Sequence, residues 1–317
     1  MTLGARLRDL ALGLRDLGVV RAQAARVYPA ADAEQRRRRD TFRRSAFVHA
    51  RAHRALTEFF AQAPWRAIGE AHPQLLQKVH KPYPWRAPDV EARVAIVRRH
   101  YELALERFGA ALLEAVAQSQ VLPLCGVALP NGQGTLAVTM GKQPRFEREG
   151  ELTLSLLDPF GSLLYSTCFT LCERDGAVGL LVGSLNGTAP REVLRHITKL
   201  SWGVRPQSLL VFLLQQVAGL AGARFIHAVG RETHAYWGNP RHDEIRFDYD
   251  AFWLEEGGTA RADGLYELPL QARRRSAAEI PSQKRSQYQR RYDWLDEVAA
   301  AVRDEWRQAG RPLCAGR

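Results

Sequence analysis

Gly179-Leu180-Leu181-Val182-Gly183-Ser184-Leu185-Asn186-Gly187 opens the stretch that decides the fold, and Arg224-Phe225-Ile226-His227-Ala228-Val229-Gly230 closes it. Both runs are apolar, have strand length and end in turn residues. Between them, Pro206-Gln207-Ser208-Leu209-Leu210-Val211-Phe212-Leu213-Leu214-Gln215-Gln216-Val217 is apolar on nearly every side, which predicts a buried helix. Pro206 suits its first turn and Gly222 its C-terminal cap. A polar, partly basic connection with Arg191, Arg195 and His196 precedes it. Strand–helix–strand units have parallel strands, and these need cover on both faces. Arg205 and Ser208 stand at the helix N-terminus, where free N–H groups favour an anion. A solvated arginine beside a core helix is the plainer alternative.

Upstream, four segments have the spacing of antiparallel hairpins: Cys125–Gly132, Leu136–Met140, Glu151–Leu157 and Leu163–Glu173. Leu152, Leu154 and Leu156 alternate, as on a half-buried strand. Downstream, Glu244–Trp253 and Gly264–Leu270 read as strands, with Glu256-Gly257-Gly258 as a turn. The tail from Lys284 to about Gln308 reads as a helix. Residues 1–120 are rich in alanine, leucine, arginine and glutamate and read as helical, with one helix over Val90–Gln118. The fold class expected is α+β: a helical N-terminal region over 1–120, then a mixed β-sheet region with a basic C-terminal helix over 121–317.

The chain has 317 residues and a formal net charge of +11, from 45 Lys+Arg against 34 Asp+Glu. That balance favours an anionic partner: nucleic acid, a phosphorylated cofactor or an acidic membrane surface. Cys125, Cys168, Cys172 and Cys314 form no CxxC or Cys–His motif, which suits reduced thiols in the cytoplasm. Met1–Val20 is amphipathic and lacks the apolar core of a signal peptide. No apolar run approaches the length of a membrane span, which leaves peripheral membrane contact open.

Strands in hairpins, then strand–long connection–helix–parallel strand, then a closing hairpin: this order resembles the GNAT acyltransferase fold. That resemblance implies an acyl donor lying where the two parallel strands splay, with its phosphates at the central helix. The Gln/Arg-x-x-Gly-x-Gly/Ala phosphate loop of that fold is replaced here by Arg205-Pro206-Gln207-Ser208-Leu209. The departure points to a donor larger than acetyl-CoA, or to none.

At motif level the chain resembles the VirK/YbjX family of bacterial proteins. The residues that carry this are Lys81-Pro82-Tyr83, His100-Tyr101, His196-Ile197-Thr198-Lys199, Gly203-Val204-Arg205-Pro206, Phe247-Asp248-Tyr249-Asp250-Ala251-Phe252-Trp253, Glu267-Leu268-Pro269-Leu270 and Ile280-Pro281-Ser282-Gln283-Lys284-Arg285 with Tyr288 and Arg290-Arg291-Tyr292. They span most of the chain. The resemblance implies an association with virulence, envelope stress and resistance to antimicrobial peptides.

Candidate catalytic residues are Asp248 or His234 as a proton acceptor and Tyr249 as a proton donor. Read as a strand, the segment puts Asp248, Asp250 and Phe252 on one face and Tyr249 on the other. A surface strand whose aspartates pair with the tail arginines is the structural alternative. Candidate anion-binding residues are Arg205, Ser208, Lys81, Tyr83, Arg285, Arg290 and Arg291, whose cations and aromatics can hold phosphate or stack on bases. The tail arginines and the Lys81–Arg86 loop are expected to converge beside the cleft. His227, His234 and His242 match no metal motif, so no metal is expected. The function expected is acyl or aminoacyl transfer from a large anionic donor, an acyl-CoA thioester or an aminoacyl-tRNA, with no tightly bound cofactor. The alternative is a non-catalytic binding or regulatory protein of envelope stress.

Overall fold

The computed structural model describes residues 11–29, 32–239 and 247–310. His242, Glu244 and Cys314, singled out above, lie outside the described residues.

The helical half comprises α1 (Leu17–Val27), α2 (Ala33–Val48), α3 (Ala50–Ala61), α4 (Arg66–Ala71), α5 (Val90–Phe108) and α6 (Ala110–Ala117). Asp32 and Asp89 start α2 and α5 by accepting hydrogen bonds from Gln35 N and Ala92 N, each satisfying a backbone donor at the open helix end. The single helix expected over Val90–Gln118 is divided at Gly109, whose φ of +82° turns the chain out of the helix.

Eight strands follow: β1 (Val121–Ala128), β2 (Thr135–Gly141), β3 (Leu152–Leu157), β4 (Leu163–Arg174), β5 (Ala177–Gly187), β6 (Phe225–Val229), β7 (Thr259–Ala260) and β8 (Leu265–Leu268). They form one sheet in the order β1-β2-β3-β4-β5-β6-β8-β7. Strands β1 to β5 are antiparallel neighbours, as the hairpin spacing predicts. Strands β5 and β6 are parallel, with Gly179 opposite Phe225 and Val182 opposite Ala228. The fold is α+β, with a mixed sheet as expected.

Two corrections concern helices. The connection around Arg191 is a helix, α7 (Arg191–Leu200), because Val193, Leu194 and Ile197 recur at helical spacing and pack on the core. The segment expected as a strand at Glu244–Trp253 contains instead α9 (Tyr249–Glu255), capped by the Asp248 side chain. The central helix α8 (Pro206–Leu220) buries Leu209, Leu210, Leu213 and Leu214. Cutting back any of these leucines costs about 2–5 kcal/mol. Together with α10 (Arg285–Gln308), α8 covers the face carrying Leu152, Leu154 and Leu156.

One departure from regular pairing prepares the site. Pairing of β5 with β6 ends at Val182 and Ala228, whereas β5 runs on beside β4 to Gly187. The β4–β5 register slips between Cys168 and Phe169, opposite Gly183. A Cβ on Gly183 would lie 1.7 Å from Glu149 O. Glycine alone lets the segment before β3 cross the sheet this closely.

Candidate functional site

Tyr249 is the first residue of α9, and its ring fills the gap that opens where β5 outruns β6. Its phenol accepts from Leu185 N at 3.2 Å and lies 3.4 Å from Leu185 O. These are β5 backbone groups that a longer β6 could have paired. Trp253, four residues on, donates its indole N–H to Val229 O at 2.8 Å and so ties α9 to β6. Burial raises the Tyr249 phenol well above its usual range, and the Glu149 charge raises it further. The phenol is therefore held protonated, as a donor must be.

His234 stands beside this ring, with centroids 5.5 Å apart. Arg86 N donates to Thr233 O at 2.9 Å, and Trp85 bridges His234 in strand fashion, which fixes the histidine's backbone. Tyr236 N donates to His234 Nδ1 at 3.3 Å. That bond assigns the neutral ring's proton to Nε2, the nitrogen 3.4 Å from Glu149 Oε1. Both side chains are buried. Glu149 is thus a buried carboxylate close to the His234 ring and near enough to Tyr249 for its charge to act on the phenol, a candidate base and a candidate acid in one region. Sequence reasoning missed Glu149. The signal was the Glu149-Gly150-Glu151 run, whose glycine lies against Phe169 N with no room for a side chain.

At the other end of α9 lies a cleft of about 650 Å³. It sits at the N-terminus of α8 and is lined by Arg205, Ser208, Arg273, Arg275, Arg291 and Tyr288, among others. Three expected anion-binding residues, Arg205, Ser208 and Arg291, therefore meet in one place. Arg205 pairs with Glu255 at 2.7 Å and approaches Glu256 at 3.6 Å, and the Ser208 hydroxyl donates to Glu256 at 2.6 Å. Burial raises the Glu256 carboxyl, while Ser208 and Arg205 pull it down. Gln215 also lines the cleft. It is buried, with its Nε2 given to Pro269 O at 2.9 Å and its Oε1 without a partner.

The remaining expected residues fall elsewhere. Asp248 caps α9 by accepting from Ala251 N at 3.1 Å, and the neighbouring Asp250 accepts from Arg231 N at 3.0 Å. The shared strand face of Asp248, Asp250 and Phe252 does not exist, because the segment is helical from Tyr249 onward. Lys81 bonds Tyr28 and Gln77 in the helical half. Tyr83 is wholly buried, donating to Glu151 at 2.7 Å. Arg285 turns back on Ile280 O, and Arg290 lies over the Trp202 ring, so neither lines the cleft. The Lys81–Arg86 loop does not converge on the cleft either: it packs against Thr233 and His234.

Tyr83 instead belongs to a buried network. Glu151 meets Lys78 at 2.9 Å, Lys142 at 3.1 Å and the Tyr101 phenol at 2.9 Å, and Glu147 lies 3.2 Å from Lys142. This network holds both ends of the segment that delivers Glu149. Among the described residues, no group of three His, Cys, Asp or Glu side chains is placed to hold a metal.

Known proteins place the chain in a family. A family model described as "Protein of unknown function (DUF535)" matches residues 32–304. The protein "Uncharacterized protein YbjX" of Escherichia coli (strain K12) is 32% identical over 233 residues, covering 71% of this chain and 70% of that protein. An "Uncharacterized protein" of Haemophilus influenzae is 25% identical over 213 residues, 66% of this chain and 70% of that one. No solved structure matches the chain. The chain belongs to the DUF535 family, among the VirK/YbjX proteins that its motifs resemble.

Proposed function

We propose that this protein transfers an acyl or aminoacyl group from a large anionic donor, a CoA thioester or a charged tRNA, to an amine or hydroxyl. The observation that carries this reading is the position of α9. Its first residue, Tyr249, meets His234 in the strand gap and lies near the Glu149 carboxylate, while its last residues line the arginine cleft. The parallel β5–β6 pair, joined through α8, further supports the reading. The donor's phosphates take Arg205, Ser208 and Arg291, displacing Glu255 and Glu256. Glu149 accepts the proton of the acceptor amine or hydroxyl as its N or O bonds to the acyl carbon. The C–S or C–O bond to the donor breaks, and the leaving sulfur or oxygen takes the proton of Tyr249. His234 orients Glu149. A donor of either kind places the activity in the cytoplasm.

A second reading is a non-catalytic binding protein that uses the same cleft. The filled gap favours it, since the Tyr249 ring occupies the space and its hydroxyl is already bonded to Leu185.

Two measurements test these readings. Filter binding of CoA and of tRNA is compared for wild type and for Arg205→Ala with Arg291→Ala, at low and high salt. Intact-mass analysis then follows consumption of acyl-CoA and of aminoacyl-tRNA. Binding with turnover supports transfer, and binding without turnover supports the second reading. If neither ligand binds at low salt, or the double variant binds as wild type does, both readings fail.

A further inference from the structure

Charge is distributed very unevenly along this chain. Residues 15–54 hold eleven arginines and no lysine against four carboxylates, so this short segment carries seven of the eleven net positive charges. It folds as the α1–α2 hairpin and the first turn of α3. The hairpin has its own small core of Val20, Ala24, Tyr28, Phe42 and Ala46, apart from the main one.

Its outer surface combines those arginines with exposed large apolar side chains. Leu14 is 62% exposed, Leu17 47% and Val48 54%. A Cβ on Gly13 would lie 2.6 Å from the Phe47 ring, so the chain entering α1 runs against the end of α2. That contact brings Leu14 and Leu17 to the same end of the hairpin as Val48. Leu14, Leu17 and the exposed Arg21 recur at helical spacing along one stripe, and Arg37, Arg44 and Val48 along another. Leu14, Leu17 and Val48 thus stand at one end of the hairpin, with the exposed Arg15 and Arg44 within about a turn of them and the exposed Arg21 and Arg37 further along the two helices. No helix among the described residues is long and apolar enough to cross a membrane, so the tip can at most lie on one.

We infer that the α1–α2 hairpin docks the protein on an anionic lipid surface, with Leu14, Leu17 and Val48 entering the interface and Arg15, Arg21, Arg37 and Arg44 meeting lipid phosphates. A polyanion such as RNA would use the arginines but gains nothing from exposed leucines. A bilayer uses both, since apolar burial and attraction to anionic headgroups add. The inference is independent of the α8 cleft and stands whether or not the protein is an enzyme.

The test is co-sedimentation of the full chain with vesicles of phosphatidylcholine alone and of phosphatidylcholine with one quarter phosphatidylglycerol. Two variants accompany wild type: Leu14→Ser with Leu17→Ser and Val48→Ser, and Arg37→Glu with Arg44→Glu. All five positions are exposed, so circular dichroism should show an unchanged fold. Wild type should sediment with the anionic vesicles only, and each variant should bind them at least about tenfold more weakly. Equal binding to both vesicles, or binding to neither, overturns the inference. So does a loss in the arginine variant with none in the apolar variant, which would mark a polyanion surface instead.

Discussion

Glu151 Oε1 stands 2.9 Å from Lys78 Nζ, and both side chains are sealed from solvent. Lys142, Tyr83 and Tyr101 complete the carboxylate's partners. The contacts join the loop after α4, helix α5 and the entry to β3. Burying such a group is tolerable only while every charge is matched. Glu151→Gln should therefore destabilise the protein by about 3–5 kcal/mol, because two lysines stay buried with too little countercharge. Urea unfolding at neutral pH measures this. A cost below about 1 kcal/mol would show that the network does not carry the joint.

The same carboxylate gives an acid limb. Burial acts to raise the Glu151 carboxyl, but Lys142 and Lys78 outweigh it and hold the group well below the usual range. A depressed folded value means that the stabilisation is present above the unfolded value of about 4.3 and is lost as pH falls through the folded one. Wild type should lose stability steadily below about pH 4.3, and Glu151→Gln should lose less over that window. Parallel curves for the two chains would remove Glu151 as the cause.

A second pH effect lies at higher pH and elsewhere. His53 Nδ1 and His80 Nε2 are 3.1 Å apart, with Gln23 and Ser45 taking the outer nitrogens. Burial lowers His53 to about 4 and, with the His53 charge, His80 to about 2. Both rings stay neutral in the fold while the unfolded chain takes up protons below about 6.5. Stability should thus fall from about pH 6.5 downward, by about 1.4 kcal/mol per pH unit for each ring. These rings pin the α1–α2 hairpin to the loop at His80. Hydrogen exchange in the hairpin should accelerate first, and His53→Gln with His80→Gln should flatten the slope between pH 6 and 5. An unchanged slope in that variant would place the sensitivity in other buried histidines.

Much of this was legible because it is local. The apolar runs, hairpin spacing and the glycine and proline punctuation marked β1 to β6 and α8. The α9 segment was ambiguous for a physical reason: Tyr249, Phe252 and Trp253 fit helical spacing, while the alternation of Asp248, Tyr249 and Asp250 fits a strand. Asp248 as a capping residue decides it. Tyr249 and His234 could be picked as single polar residues in an aromatic segment, but nothing local links them to Glu149. That link rests on Gly183, which lets one segment cross another far away in sequence. The pairing of Tyr83 with Glu151 is likewise non-local, which is why Tyr83 read as a surface ligand.

Gly183 offers a direct test of the crossing. Gly183→Ala places a carbon 1.7 Å from Glu149 O, and the obstacle is backbone, which cannot rotate away. The variant should lose at least about 3 kcal/mol or fail to fold. Gly176→Ala is no neutral control, since its φ of +74° is itself strained for alanine. Gly219→Ala is better, since nothing lies within 4 Å of the added carbon, and in helix α8 it should be neutral or slightly stabilising. Equal thermal midpoints for Gly183→Ala and Gly219→Ala would show that β5 and the Glu149 segment can separate.

Tyr249→Phe separates structure from chemistry at the strand gap. The ring stays, so packing against His234 and Trp253 is kept. The hydroxyl goes, and Leu185 N is left without its acceptor. A buried unpaired N–H costs about 1–3 kcal/mol, so the variant should unfold at lower urea under either functional reading. CoA or tRNA binding in the cleft should stay within about twofold, because the cleft meets α9 at Leu254 to Glu256 and not at Tyr249. Acyl transfer should fall by about 10²–10⁴-fold if the phenol protonates the leaving group. Its rate should also become more steeply dependent on the donor's leaving-group basicity, as loss of acid assistance requires: poor leaving groups suffer most, and good ones least. A chain that keeps full turnover without the hydroxyl has no acid at this position. One as stable as wild type does not hold Leu185 through Tyr249.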